Sequence, residues 1–239
     1  MDTNYKRFVI GTLLLITICF SYYFFLDNFL FFLLFTIIIY DLKYSNLLKL
    51  SNVIIFFIIS GVVFFVTHYF GVLYLAYINS LFFIILILNL FIRKFFFIEI
   101  FILLITLFLF SLVYISFNDR NLAYLIILIS FLNDTVAFIA GKKFKGPLIL
   151  KKISPKKTWS GTSISFIFSF IILYQLNFSI YLSFILSLSL FFGDIYFSYI
   201  KRIINIKDFS NIFPGHGGIL DRVDSMSLFT LILLISITL

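Results

Sequence analysis

The chain has a single cysteine, Cys19, and only 12% of its residues are charged. One cysteine excludes a disulfide framework and a cysteine metal site. So few charges exclude an ordinary soluble domain, in which about 25% of residues are charged. No internal repeat is visible, which argues against transporter folds assembled from repeated halves. The first apolar stretch, Phe8 to Leu26, is of span length and no small-residue cleavage site follows it. It is therefore expected to remain as a span and not to leave as a signal peptide.

What the chain has in quantity is apolar surface: 63% hydrophobic residues and a mean hydropathy of +1.18. The 37 phenylalanines are attributed to base composition and carry no functional weight. Apolar runs of roughly 20 residues predict spans. They fall at 8–26, 29–40, 53–72, 74–92, 95–117, 122–140, 162–176, 178–200 and 219–239. Gln175-Leu176-Asn177 is the turn that makes 162–200 a helical hairpin. The predicted architecture is an all-α, polytopic transmembrane helical bundle of about nine spans.

The net charge of +8 is explained first by the positive-inside rule. With the N-terminus, Lys6 and Arg7 in the cytoplasm, the inside connections also hold Lys43, Lys49, Arg93, Lys94 and the loops 141–161 and 201–218. The outside connections hold Asp27, Asn28, the Asp119-Arg120 pair and the Gln175–Asn177 turn. Nucleic acid is not an expected partner. Residues 1–117 are nearly all apolar and show no cluster of functional groups. Residues 118–239 hold Asp134, Asp194, Asp208, Asp221, Asp224 and most of the bases, so function is expected there, near the cytoplasmic face.

Four constellations carry chemistry. Asp221 and Asp224, at i and i+3, are expected on one face of a helix at the start of the last span. Two like charges there call for a cation, and Mg²⁺ suits one or two carboxylates with water and phosphate oxygens. For Asp221 the alternative is a helix N-terminus, where the dipole favours an acid. Gly193-Asp194 lies deep in span 178–200, and an acid inside a membrane segment marks function unless a neighbouring hydroxyl satisfies it. Gly193 would admit another helix closely, so Asp194 could join Asp221 and Asp224.

Lys142, Lys143, Lys145, Lys151, Lys152, Lys156 and Lys157 form a run with no acid between them. It reads either as a topology signal or as a site for anionic head groups. Last, Lys201-Arg202, Lys207-Asp208 and Pro214-Gly215-His216-Gly217-Gly218 lead into the final span. Glycines there let backbone approach a phosphate.

The stretch "SYIKRIINIKDFSNIFPGHGGILDRVDS", Ser198 to Ser225, resembles the signature of phosphatidate cytidylyltransferases (CDP-diacylglycerol synthases). The resemblance rests on Ser198, Lys201, Arg202, Lys207, Asp208, Ser210, Pro214, His216, Gly217, Gly218, Asp221, Arg222 and Asp224. "NDTVAFIAGKKF" at 133–144 and "ISPKKTW" at 153–159 resemble two further blocks of that family, in the same order. The sequence departs from the family at Ser160, where Glu is common, and at Phe144-Lys145-Gly146, where Phe-Gly-Lys is common.

The resemblance implies transfer of CMP from CTP to phosphatidic acid, giving CDP-diacylglycerol and pyrophosphate. It implies Mg²⁺ on Asp194, Asp221 and Asp224, with K⁺ as a candidate companion. Lys201, Lys207, Arg202 and Arg222 are expected to neutralise the triphosphate, and His216 to donate to phosphate. Lys156 and Lys157 are expected at the lipid phosphate. Asp134, Ser198, Asp208, Gly217 and Gly218 complete the expected substrate-binding set. Expected partners are CTP, phosphatidic acid and the lipid bilayer, with a homodimer as candidate assembly. The expected location is the bacterial inner membrane. Rival readings are a CTP-dependent kinase or cytidylyltransferase acting on another lipid such as an isoprenoid, and an ion or phosphate transporter.

Overall fold

The computed structural model of the protein describes residues 3–47, 96–150, 152–213 and 217–238. The expected spans 53–72 and 74–92, and His216, lie outside the described residues. The described chain is mostly helical. Its helices are α1 (Thr3–Tyr23), α2 (Asp27–Tyr44), α3 (Phe96–Asn118), α4 (Arg120–Phe144), α5 (Trp159–Gln175), α6 (Ile180–Ile203) and α7 (Asp224–Thr238). Among the described residues, three stretches are long and apolar enough to cross a membrane: Ile100–Asn118, Arg120–Phe144 and Ile180–Ile203.

The all-α expectation needs one correction. Between α4 and α5 the chain forms an antiparallel hairpin of β1 (Leu148–Leu150) and β2 (Ser154–Thr158), pairing Leu148 with Thr158 and Leu150 with Ser154. Two prolines explain it. Pro147 and Pro155 push the residues before them away from helical backbone, and Gly146 takes a φ of +134° that a side chain would resist.

Three helices end alike. Asn46, Asn177 and Asn205 follow α2, α5 and α6 with φ of 56°, 66° and 56°. Asparagine tolerates this left-handed backbone, which lets the next amides fold back onto the last carbonyls. After α5, Asn177 N donates to Tyr174 O at 3.1 Å and Phe178 N to Leu173 O at 3.3 Å. The predicted hairpin turn at 175–177 is therefore present, and Ser179 caps the next helix by accepting from Leu182 N at 3.3 Å.

The chain divides into two units. The first comprises residues 1–120 and 208–221, the second 121–207 and 222–239. In the first, α1 packs on α2 and α2 on α3, around Ile38, Leu42, Phe101, Ile105 and Phe108. Arg120 pairs with Asp27 at 2.7 Å, donates to the Ser21 carbonyl at 3.2 Å and to the Tyr22 carbonyl, and lies over the Tyr22 and Phe25 rings.

In the second unit, α5 packs on α6, and α6 on α7. The seam is built of small residues, the usual currency of helix association in lipid. Ser165, Ser169, Ser183, Ser187, Ser189, Ser225, Ser227 and Thr230 are all buried. Most of these hydroxyls bond carbonyls of their own helix, as Ser187 does with Ser183 O at 2.8 Å. Two glycines set close approaches. A Cβ on Gly161 of α5 would lie 2.6 Å from the Ala137 carbonyl of α4, and one on Gly193 of α6 would lie 2.6 Å from the Asp224 carbonyl of α7.

Candidate active site

The second unit gathers charge around one lysine. Lys157, on β2, forms an ion pair with Asp194 of α6; the two side chains are 24% and 23% exposed. Asp224 and Asp134 also act electrostatically on Lys157, with Lys201 opposing them. Burial pulls the ammonium down from its ordinary value of 10.5 to about 8, against the pull of the two acids. Asp134, on α4, feels the charges of Asp224, Lys157 and Arg222. Gly193 is what allows this. Without a Cβ it lets the first turn of α7 lie on α6, so Asp224 comes to the level of Asp194. On the other side Ser225 meets Ser130 of α4, hydroxyl to hydroxyl, at 2.6 Å.

Among the described residues, no three carboxylates, imidazoles or thiols converge as a complete metal centre. Mg²⁺ does not require that; one or two carboxylates suffice when water and phosphate oxygens fill the remaining positions. The donor chemistry fits a hard cation, because an ammonium of this chain already stands against the same carboxylate. Lys157, expected at the lipid phosphate, pairs with Asp194. Of Lys156, the backbone in β2 is described but not the side chain.

Asp224 is the first residue of α7, buried, and its carboxylate accepts from Ser225 N at 2.8 Å. That position favours a negative charge. Asp221 is not on that helix. It lies in the turn before it, so the two do not share a helix face as their spacing predicted. Lys201 and Ser198 are buried on α6. Arg202, expected at the triphosphate, donates Nε to the Ile153 carbonyl at 3.0 Å and a terminal nitrogen to Ile206 O at 3.2 Å. It thereby ties the β-hairpin turn to the end of α6. Lys207 and Arg222 are exposed.

Ser160 makes a structural contact: its hydroxyl donates to the Lys145 carbonyl. Thr158 caps α5 by accepting from Gly161 N at 3.2 Å. Lys142, Lys143, Lys145, Lys152 and Trp159 are all exposed.

The loop 208–221 belongs to the first unit and is organised by two carboxylates. Asp221 Oδ2 accepts from Phe209 N at 3.0 Å and from Gly218 N at 2.9 Å. Gly217 N donates to Phe213 O at 3.1 Å. The amides of Gly217 and Gly218 are thus engaged inside the loop. What glycine contributes is clearance: Gly217 has φ +79°, and a Cβ on it would lie 2.5 Å from Asp221 Oδ2. Phe209 stacks on Phe101 of α3, ring centroids 5.5 Å apart. Asp208 is exposed.

The second carboxylate is one that sequence reasoning missed. Asp41, near the end of α2, has no exposed surface. It accepts from Ser210 Oγ at 2.5 Å and from Leu220 N at 2.9 Å. Its only sequence signal was an acid one residue beyond an apolar run, in the half that seemed to carry no function.

Residues 5–239 match the model of a family described as the cytidylyltransferase family. A protein named phosphatidate cytidylyltransferase in Rickettsia conorii is 45% identical over an alignment covering 51% of this chain and 61% of the relative. A protein of the same name in Rickettsia bellii is 44% identical, covering 49% and 58%. One in Helicobacter pylori (strain ATCC 700392 / 26695) is 37% identical, covering 48% and 46%. The matched part of the chain spans about three fifths of the Rickettsia relatives' length or less.

Proposed function

The chain belongs to the cytidylyltransferase family, and from that premise we propose that it transfers CMP from CTP to phosphatidic acid, yielding CDP-diacylglycerol and pyrophosphate. The observation that carries this reading is the run Ser198–Ser225, which resembles the signature of the phosphatidate enzymes, in a chain that pairs a membrane-segment acid, Asp194, with a lysine.

In the proposed step an oxygen of the phosphatidate phosphate bonds to the α-phosphorus of CTP. The bond from that phosphorus to the bridging oxygen breaks, and its electron pair leaves with pyrophosphate. A phosphate monoester has its second pKa at about 6, so the attacking group needs no base. The obstacle is the meeting of two polyanions, and charge neutralisation supplies most of the rate. Asp194 and Asp224 would hold Mg²⁺, with Asp134 adding charge nearby. When bound, that ion polarises phosphate oxygens and neutralises the leaving group. Lys201, Lys207 and Arg222 offer positive charge to the triphosphate. Lys157 keeps the acids neutralised in the absence of the ion.

The proposed setting is a bacterial inner membrane, with about nine spans and the N-terminus inside. Two features support it. Asp27 and Arg120, assigned to outside turns, pair directly. The exposed lysines 142, 143, 145 and 152 and the exposed Trp159 gather on the opposite, inside connection, where lysines attract anionic head groups.

The test is detergent-solubilised protein with labelled CTP and phosphatidic acid, the products separated by lipid chromatography. Label in CDP-diacylglycerol with equimolar pyrophosphate is expected. Label passing to an isoprenoid acceptor, and none to phosphatidate, would overturn the assignment.

A further inference from the structure

We propose that Asp41 is a positioning residue that holds the loop 208–221 in its working shape. The proposal rests on the reading above together with the family resemblance, which implies that Asp208, Gly217 and Gly218 bind substrate and Asp221 the metal. A buried acid in a mostly apolar half demands an explanation, since an unpaired carboxylate away from water is costly. Asp41 has both oxygens engaged, and both partners lie on the loop. Ser210 donates to Oδ1 at 2.5 Å near the loop's start, and Leu220 N donates to Oδ2 at 2.9 Å near its end. One side chain therefore clamps the two ends of an eleven-residue excursion.

Glycine at 218 is part of the same fit. A Cβ there would collide with the Asp41 carboxylate. Asp221 performs the complementary task from within, bonding Phe209 N and Gly218 N. Ser210 is itself one of the residues on which the family resemblance rests, and Leu220 adjoins another, Asp221. Hydrogen bonds to a charged acceptor are the stronger kind, so losing both should loosen the loop about tenfold or more.

The experiment compares wild type with Asp41→Ala, Asp41→Asn and Ser210→Ala in the detergent-solubilised full chain. Amide hydrogen exchange is read over 208–221, and steady-state kinetics with CTP and phosphatidic acid are measured. In Asp41→Ala, exchange at Phe209, Gly218 and Leu220 should rise at least about tenfold while α6 keeps its protection. The KM for CTP should rise more than kcat falls. Asp41→Asn should rescue both readouts to within about threefold, because its amide can accept from Leu220 N and donate to Ser210 Oγ. Ser210→Ala, which removes one of two contacts, should fall between them.

Unchanged exchange over 208–221 in Asp41→Ala would overturn the proposal. So would a loosened loop with wild-type kinetics, or an Asn variant as impaired as the Ala variant while its loop stays protected. If wild type shows no transfer to phosphatidate, the functional reading fails, and the exchange arm still decides whether Asp41 holds the loop.

Discussion

Replacing Lys157 with Met keeps the length of the side chain and removes its charge. In wild type the ammonium contacts Asp194 and is held by the charges of Asp224 and Asp134. A cation entering this cluster must first displace it. Breaking a fully buried pair costs about 3–5 kcal/mol, whereas exposed pairs contribute about 0–1 kcal/mol. With side chains 24% and 23% exposed, this pair falls between, at about 2 kcal/mol. Removing the competitor should therefore tighten divalent binding by about 10- to 30-fold. Mn²⁺ titration followed by the loss of its free-ion paramagnetic signal measures this directly. The same variant should melt about 4–8 °C lower without divalent ion, its acids now unneutralised, and recover with saturating Mg²⁺. Weaker Mn²⁺ binding, or a melting loss that Mg²⁺ does not restore, would show that Lys157 is structural and that the cluster is not a cation site.

Gly193→Ala inserts a methyl 2.6 Å from the Asp224 carbonyl and 3.1 Å from that of Ser225. Overpacking of this kind costs about 1–3 kcal/mol; turnover should fall steeply while circular dichroism stays helical, and wild-type turnover would sink the role given to this contact. Asp194→Asn should abolish turnover at saturating Mg²⁺, and near-normal activity would leave Asp194 as no more than a partner for Lys157. For topology, cysteines placed at 147 and 211 should react only from the cytoplasmic side and one at 119 only from outside; labelling of 147 and 211 from opposite faces would refute the orientation.

Much of the helical scaffold was legible because its signals are local. Apolar runs at 95–117 and 122–140 became Phe96–Asn118 and Arg120–Phe144. Asn177 marked its turn through a backbone conformation that few residues accept. Asp194 stood out because an acid in a membrane segment is rare for energetic reasons, and Gly193 because it lets another helix approach closely. The partners of these residues were not legible. Lys157 meets Asp194 only once β2 is laid against α6, and a lysine run gives no hint of which ammonium turns inward. The hairpin itself was signalled only by Pro147 and Pro155. Asp41 bonds a serine 169 residues away, a separation no periodicity encodes.

The i, i+3 spacing of Asp221 and Asp224 misled because it assumes a helix through both. The helix begins at Asp224, and Asp221 closes the loop before it. The two acids are therefore open to separation by substitution. Both amides that Asp221 receives arrive at one oxygen, Oδ2. Asparagine can present its carbonyl oxygen to the same pair, so Asp221→Asn should preserve the loop and remove only charge. Asp221→Ala should lose both. If the metal role implied by the family signature holds for Asp221, Asp221→Asn will lose turnover while Phe209 and Gly218 amides remain protected from exchange, and Asp221→Ala will lose turnover and protection together. Wild-type turnover in Asp221→Asn would confine Asp221 to shaping the loop and leave the cation to Asp194 and Asp224.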